Sequence, residues 1–342
     1  MGRKTNKVLT CTQEEIDAIL PENKELIDDF MDYLEATDHS QKTCIVYQDN
    51  LNLFFTWLCK YCKNKDFVDI KKKDILKFQT YMVKNELSSA RIRNIKSSLS
   101  SLSNYIESML VDEDDKWENF RNIINKIPNP VMNLAREKTV INDEQLYNLL
   151  DELIKRKKIQ IAMWVAASAF IGTRKAETLQ LKMSWFTKEH CKNGLYMTPE
   201  IRCKGFGKAG KKLIKYGIKN KLDKYLDLWI KERERMNVDI DDMFVVKHNG
   251  QWSPATIGTI SKWMDVCSDI LGVTSYSHMY RHFYVSYLSR EDIPINVIKE
   301  IVGHSSVEMT ERYNDNSKED EFMKYFSDEG IVHVDKKDLS DL

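Results

Sequence analysis

The sequence lacks any long apolar run. No stretch approaches the roughly 20 consecutive apolar residues that a membrane-spanning helix needs, and the polar N-terminus does not resemble a signal peptide. We therefore expect a soluble protein that stays inside the cell, in the cytoplasm, with no membrane partner.

Regular cysteine spacing is also missing. Seven cysteines, an odd number without a repeating framework, indicate reduced thiols. Cys59 and Cys62 form a C-x-x-C in a helical run, but no second pair follows at zinc-finger spacing. We favour buried or half-buried helix positions for both over a metal or redox site. A phosphate-cradling G-x-x-x-x-G-K-[ST] loop and a convincing carboxylate metal cluster are absent too, which agrees with chemistry that uses no metal and no cofactor.

An excess of charge of either sign is absent, because 52 basic residues balance 52 acidic ones. Screening limits the reach of charge to about 8 Å at physiological salt, so local distribution matters more than the total. Residues 200–224 hold nine Lys or Arg against two acids, whereas residues 315–342 hold nine acids against four Lys. The neutral total thus conceals a basic region that suits a phosphate-rich partner.

The chain does show the periodicity of helices. Its length of 342 residues suits two domains. Apolar residues recur at spacings of three and four residues, as in Leu26, Phe30, Tyr33 and Leu34. Pro128 and Pro130 bar a helix in the likeliest interdomain segment. We predict a short N-terminal tail, a helical domain, a linker, a second domain and an acidic C-terminal tail or helix, at residues 1–21, 22–126, 127–141, 142–314 and 315–342.

The second domain is predicted to be mixed but mostly helical. Asn142, with Gln145 three residues later, is typical of a helix start, and the apolar run from Ile159 to Phe170 predicts a buried central helix. The glycine-punctuated segment 194–218 favours a small hairpin or three-stranded sheet with a basic tip. Ser253-Pro254 indicates another helix start. The apolar residues of the C-terminal segment predict one face of a terminal helix, which belongs to the core or docks on a neighbouring subunit by subunit exchange: Phe322, Met323, Tyr325 and Phe326.

Chemically distinctive residues concentrate in two places. His278 and Arg281 lie three apart on one predicted helix and share a face. Gly303 is placed to end the next helix, and His304 and Tyr313 follow, with Ser305 and Glu308 at capping-box spacing between them. Upstream, Gly172, Arg174 and Glu177 form a G-x-R-x-x-E arrangement.

In this order and at these separations, the region from Asn142 to Tyr313 resembles the tyrosine recombinase family, the phage integrases with their Cre-like and Xer-like relatives. The resemblance implies a mainly α fold: a helical N-terminal core-site-binding domain followed by a mostly helical catalytic domain with a small β-hairpin or sheet. It also implies double-stranded DNA as the partner, a homotetramer on synapsed DNA, and accessory DNA-bending or directionality proteins.

Chemistry supports the resemblance. A phosphodiester gathers negative charge in its transition state, and arginine offers permanent charge with planar, bidentate donors. Arg174 and Arg281 are therefore the candidate clamp of the scissile phosphate, with Glu177 orienting Arg174. His278 is the candidate general base, since a phenol of pKa about 10 must lose its proton to attack. His304 would donate a hydrogen bond to a phosphate oxygen.

The family supplies the remaining roles. Tyr313 is the expected nucleophile, leaving a 3′-phosphotyrosine and a free 5′-hydroxyl, so that rejoining needs neither ATP nor a metal. A hairpin lysine protonates the leaving oxygen; Lys204 matches the family's pattern best, and Lys208 is the alternative because the glycine-rich turn is longer than usual.

The fourth helix of the first domain carries Arg91, Arg93 and Lys96 among serines and asparagines, side chains that suit phosphate oxygens. Taken alone these charges indicate a solvated helix face; the resemblance favours DNA contact. We expect a site-specific recombinase, the integrase of a phage or other mobile element in a bacterial or phage-infected cell. The alternatives are an Xer-like chromosome dimer resolvase, a type IB topoisomerase and an inactive DNA-binding regulator.

Overall fold

A computed structural model of the chain describes residues 8–131, 140–205, 207, 209–303, 326–327 and 330–331. The chain divides into two compact units, residues 1–138 with 206–209 and residues 139–205 with 210–342, and the boundary after residue 138 lies within the segment predicted to be a linker. In the described ranges, no helix combines the length and the apolarity needed to cross a membrane.

The first unit is built from helices, as its three-four periodicity predicts. Serine side chains begin two of them: Ser40 accepts the backbone N–H of Thr43, and Ser88 accepts that of Arg91. Its helices are α1 (Gln13–Asp17), α2 (Pro21–Ala36), α3 (Gln41–Tyr61), α4 (Lys72–Lys84) and α5 (Ser89–Tyr105), the last running into a π-helical turn at Ile106–Leu110.

One core of apolar and aromatic side chains holds the first unit together. Phe54 of α3 lies at its centre, fully buried, with its ring 5.0 Å from that of Phe78. Cys59 is half-buried and Cys62 is buried near the end of α3, the positions that the helical interpretation favours. The prediction of a tail at residues 1–21 is wrong in part, because α1 lies within it and Ile19, only 2% exposed, joins the core.

The second unit surrounds a buried central helix. Residues 161–170 are all buried, as the apolar run predicts, and Asn142 forms the expected capping box with Gln145. Its helices are α6 (Asp143–Lys155), α7 (Ile159–Phe170), α8 (Lys175–Thr178), α9 (Lys219–Met236), α10 (Ile257–Leu271), α11 (Ser277–Arg290) and α12 (Ile295–Val302). Helices α6, α9 and α11 contact α7.

Small antiparallel sheets complete the second unit. The strands are β1 (Cys191–Lys192), β2 (Leu195–Met197), β3 (Ile201–Cys203), β4 (Lys211–Leu213), β5 (Tyr216–Ile218), β6 (Val245–His248) and β7 (Gln251–Pro254). A three-stranded sheet has the order β1-β2-β5, and β3 and β4 form a separate hairpin. All of these strands except β1 lie in the glycine-punctuated segment, so both of the predicted alternatives are present. Strands β6 and β7 form a further hairpin outside it.

Two expectations about helices are wrong. Ser253 and Pro254 lie in β7, and α10 begins later, capped by Thr256. The reason is the two-residue turn Asn249-Gly250, whose positive φ angles of 48° and 83° close a β-hairpin. Phe326 lies in a short strand, β8 (Phe326–Ser327), paired with β9 (Gly330–Ile331), and not in a helix. Phe322, Met323 and Tyr325 lie outside the described residues.

Candidate active site

A buried carboxylate is the centre of the candidate site in the second unit. Glu177 lies on α8, one turn after Arg174, and is 2% exposed. Its Oε1 accepts a hydrogen bond of 2.8 Å from Arg174 Nη1, and its Oε2 accepts one of 3.1 Å from the Arg174 backbone N–H. The two bonds fix the arginine at both ends, which is the contact that the predicted orienting role of Glu177 requires.

A second cation reaches the same carboxylate from the segment between β4 and β5. Lys215 is 1% exposed, with Nζ 3.3 Å from Glu177 Oε2. Burial alone would raise the pKa of Glu177, but the ammonium of Lys215 and the two bonds from Arg174 together lower it to about 2. Burial lowers the pKa of Lys215, and the carboxylate partly offsets that effect. Glu177 is therefore a permanent anion at neutral pH.

The sequence reasoning missed Lys215. Its signal is the period of a strand: Leu213, Lys215 and Gly217 alternate toward the interior, while Ile214 is exposed. A lysine at an inward position of such a segment is unusual and needs a buried partner.

Arg281 of α11 is the third cation and is almost fully buried, 1% exposed. Its Nη1 donates to the carbonyl of Gly172 at 2.6 Å and lies 3.8 Å from Glu177 Oε2, and its Nη2 donates to the carbonyl of Val302 at 2.7 Å. Arg281 thus joins the end of α7 to the end of α12, and the candidate clamp is held by the backbone as well as by charge.

His278 precedes Arg281 by one turn of α11 and is exposed at the surface of the site. Desolvation lowers the pKa of His278, and the positive charges of Arg281, Arg174 and Lys204 lower it further against the opposing effect of Glu177. The imidazole is therefore neutral at pH 7, the state that a general base requires. Lys204 is exposed in the bend that follows β3.

The described residues bring together Arg174, Lys204, His278 and Arg281, with Glu177 behind them. Gly303 ends α12 in the left-handed conformation, as predicted. His304, Tyr313 and Lys208 lie outside the described residues, so their roles remain predictions, and so does the choice between Lys204 and Lys208. Within the part of the chain that the structure describes, no group of three His, Cys, Asp or Glu side chains is placed to hold a metal.

The DNA-binding candidates of the first unit lie on α5. Arg91 donates to Asn94 Oδ1 at 2.9 Å. Arg93 contributes to a polar groove of about 340 Å³, and its buried Nε has no partner among the described residues. Lys96 borders the same groove but is 5% exposed, and Nζ donates to the carbonyls of Ile127 and Pro128 and to Gln79 Oε1.

The bonds of Lys96 attach residues 127 and 128 to α5, so Lys96 has a structural role that the sequence did not suggest. The groove is otherwise lined by small polar side chains that can bond phosphate oxygens: Ser97, Ser100, Ser101, Asn104, Asn125 and Asn129. Contact of Arg91, Arg93 and Lys96 with DNA stays a prediction.

Both units match known protein families. The model described as "Phage integrase family" matches residues 139–320, more than half of the chain, and "Phage integrase, N-terminal SAM-like domain" matches residues 26–113. The chain belongs to the phage integrase family. This integrase-family chain is 27% identical over 304 residues to the SPbeta prophage-derived recombinase-like protein YomM of Bacillus subtilis, covering 88% of each sequence.

Other relatives are named tyrosine recombinases. The tyrosine recombinase XerH of Helicobacter pylori is 28% identical over 237 residues, which are 66% of this integrase-family chain and 62% of XerH. A crystal structure of XerH bound to difH substrate in a pre-cleavage complex matches with a TM-score of 0.64 and 19% identity, covering 95% of this chain and 99% of that one. The Tn1549 transposon integrase in complex with transposon right end DNA matches with a TM-score of 0.62 and 15% identity, covering 88% and 98%. The mainly α fold with small sheets, predicted from the sequence, is that of these recombinases.

Proposed function

We propose that this member of the tyrosine recombinases is a site-specific DNA recombinase that cuts and rejoins DNA through a 3′-phosphotyrosine. The observation that carries the proposal is the gathering of Arg174, Lys215 and Arg281 around one buried carboxylate. Three positive charges face one negative charge, so the cluster has a net positive charge that a phosphodiester complements. The charge is fixed before DNA arrives, which favours a transition state richer in negative charge than the ground state.

Cleavage would proceed by in-line displacement at the scissile phosphorus. The phenolic oxygen of Tyr313 forms a bond to phosphorus and gives its proton to neutral His278, while the bond from phosphorus to the 5′-oxygen breaks. Lys204, or Lys208 in its place, gives a proton to the leaving 5′-oxygen. Arg174, whose side chain is 21% exposed, contacts the non-bridging oxygens directly, and Arg281 stabilises them through its positive charge while its bonds to two carbonyls hold. His304 donates a hydrogen bond to one of these oxygens.

Rejoining would reverse these steps with a 5′-hydroxyl from the partner strand. The phosphotyrosine ester retains the energy of the broken phosphodiester, so the exchange balances without ATP and without a metal ion. Four copies acting on two synapsed DNA sites would exchange strands in pairs, with accessory DNA-bending or directionality proteins setting the outcome.

The first unit would contribute affinity for duplex DNA and would position the enzyme on it. Arg93 and the serines and asparagines of its groove suit the phosphates of a duplex, and Arg91 would contact DNA from the same helix, two residues away. Lys208 would contact the backbone if Lys204 is the proton donor. Counterion release makes such binding fall steeply with salt, by roughly one power of salt concentration per phosphate contact.

Among site-specific recombinases, we favour the integrase of a phage or other mobile element, which would act in the cytoplasm of a bacterial or phage-infected cell. The prophage-derived origin stated in the name of YomM supports it, because that similarity extends over 88% of both sequences. An Xer-like chromosome dimer resolvase is the second candidate, supported by the shorter similarity to XerH. Excision of the parent element from its host DNA would distinguish the two.

The central test is capture of the covalent intermediate. The protein is incubated with nicked duplexes whose core sequence is randomised, and 3′ ends linked to protein are isolated and sequenced. The wild-type chain should give adducts at one enriched sequence, and Tyr313→Phe should bind DNA but give none. Tyr61→Phe, which alters a tyrosine 59% exposed in the first unit, is the matched control and should cut normally. An adduct that survives Tyr313→Phe would refute the assignment of the nucleophile.

The same experiment separates the rival functions. A type IB topoisomerase would relax plasmid as a monomer without sequence preference, and an inactive DNA-binding regulator would bind without forming an adduct. Enrichment of one cleaved sequence contradicts both.

A further inference from the structure

Lys215 links three parts of the second unit that are distant in sequence. Its Nζ lies 3.3 Å from Glu177 Oε2 and 3.4 Å from the carbonyl of Val302. Its backbone is fixed as well, because its N–H donates to Thr198 Oγ1 at 2.9 Å and its carbonyl accepts from the Thr198 N–H at 3.0 Å. The hairpin segment, α8 and the end of α12 are therefore joined at this one side chain.

The end of α12 packs closely against the same segment. Gly303 has a φ of +72°, and a Cβ built there would lie 2.3 Å from Leu213 Cδ1 and 3.8 Å from Lys215 Nζ. A residue other than glycine would be strained by the positive φ and would require the Leu213 side chain to move. Because His304 is the next residue, the backbone that leads into it begins at the Lys215 contact.

Packing alone does not explain a lysine here. A buried ammonium loses hydration worth several kcal/mol and recovers it only through well-placed partners, so an apolar side chain of similar volume would fill the space at lower cost. What an apolar side chain could not supply is the charge. Without Lys215, Glu177 Oε2 would keep the backbone N–H of Arg174 and the more distant Arg281, and would lose the cation that lies 3.3 Å away.

A direct role for Lys215 as the proton donor conflicts with its position. Its side chain is 1% exposed and its ammonium is directed at Glu177 and Val302, so it cannot meet a leaving oxygen while those contacts hold. Lys204, by contrast, is exposed. Lys215 therefore acts on the reaction through other groups.

We propose that Lys215 is a positioning residue of the cleavage site, whose ammonium binds Glu177 to the C-terminal carbonyl of α12 and so keeps Arg174 and Arg281 in a fixed, positively charged arrangement. The inference rests on the proposed function, since it assigns Lys215 a part in that same reaction.

The test is a double-mutant cycle on single-turnover cleavage at saturating DNA, using the cleaved sequence found by adduct capture. Lys215→Met removes the charge and nearly keeps the length of the side chain. Glu177→Gln removes the carboxylate charge, and the double variant removes both charges.

We expect Lys215→Met to slow cleavage by roughly 10- to 100-fold, the usual effect of losing a group that orients a reacting one. The Kd for the same DNA should change by less than about threefold. Lys231→Met, at an exposed lysine of α9, is the matched control and should cut at the wild-type rate.

The coupling between the Lys215 and Glu177 substitutions distinguishes a positioning role of Lys215 from a packing role. If Lys215 acts through Glu177, the double variant should be no slower than the slower single variant. Losses that multiply, or a Lys215→Met variant that cuts at the wild-type rate, would overturn the proposal. Should Lys215→Met fail to fold, the double variant is compared with Glu177→Gln alone: equal cleavage rates support the proposal and a further loss contradicts it. A wild-type chain that forms no adduct would instead overturn the proposed recombinase function, and the role of Lys215 with it.

Discussion

At the scale of single residues, one carboxylate determines the electrostatics of the site. Glu177 is 2% exposed, and a buried carboxylate is stable only where cations and N–H groups surround it. Arg174 and Lys215 satisfy it directly, while Arg281 is oriented mainly by the carbonyls of Gly172 and Val302. The site therefore tolerates loss of an exposed charge better than loss of Glu177.

Replacement of Glu177 by glutamine should destabilise the protein at neutral pH and progressively less in acid. The folded-state pKa of about 2 lies below the ordinary value of 4.5, so the stability that the carboxylate contributes is present above pH 4.5 and is lost as pH falls toward 2. The lowering corresponds to about 3 kcal/mol. Denaturant unfolding at steps from pH 7 to pH 3 measures the difference between the two proteins, which should shrink with acid. A difference independent of pH would show that Glu177 is not ionised in the folded state.

His278 should give cleavage an acid limb with its midpoint below pH 6.5. The general base is active when neutral, and the pKa of His278 is lowered by desolvation and by the charges of Arg281 and Arg174. The rate should therefore fall only as pH drops through that lowered pKa.

Cleavage rates measured at subsaturating DNA report the pKa of His278 in the free enzyme. At saturating DNA the phosphate charge should move the midpoint upward, because it favours the imidazolium. The residual rate of His278→Asn should lack this limb, and an unchanged limb would assign it to another group.

At the scale of helices and strands, the turn after α7 positions the arginines. Gly172 has a φ of +69°, which places its carbonyl on Arg281, and a Cβ built there would lie 2.2 Å from Tyr284 Cδ1. The chain then enters α8, with Arg174 at its N-terminal end. Gly172 therefore permits both the sharp turn and the close approach of the buried Tyr284 ring.

Gly172→Ala should destabilise the second unit more than Gly194→Ala does. Both glycines have positive φ, +69° and +76°, so both alanines suffer the backbone cost of roughly 1 kcal/mol. A Cβ at Gly194 meets nothing within 4 Å, whereas one at Gly172 collides with Tyr284, and overpacking adds about 1–3 kcal/mol. Thermal unfolding of the two variants measures the difference. Equal losses would mean that the ring of Tyr284 moves aside freely.

Most helices could be predicted from the sequence because their signals are local. The apolar run of α7 and the capping box at Asn142 both give the correct element, and His278, Arg281, Arg174 and Glu177 were found from their spacing. Lys215 could not be found in that way, since its partners Glu177 and Val302 are 38 and 87 residues away. The Asn249-Gly250 turn is a local signal too, and its hairpin overrides the helix start that Ser253-Pro254 predicts, because the paired strand extends to residue 254.

At the scale of the whole chain, each unit has a hydrophobic core of its own. The core of the first unit includes Leu99, and that of the second includes Leu150, both fully buried. The neutral total of 52 basic and 52 acidic residues is likewise a sum of unlike parts, with nine Lys or Arg in residues 200–224. Stability and charge are thus properties of each unit before they are properties of the protein.

Separate cores should give two unfolding transitions in calorimetry. Leu99→Ala creates a cavity in the first unit and Leu150→Ala creates one in the second, at a cost of about 2–5 kcal/mol each. We expect each variant to lower the Tm of a different transition and to leave the other nearly unchanged, because the two side chains share no neighbours in either core. Because both variants replace a fully buried leucine by alanine, each is the control for the other. If both variants lowered the same transition equally, the two units would unfold as one cooperative body, and the division after residue 138 would carry no thermodynamic meaning.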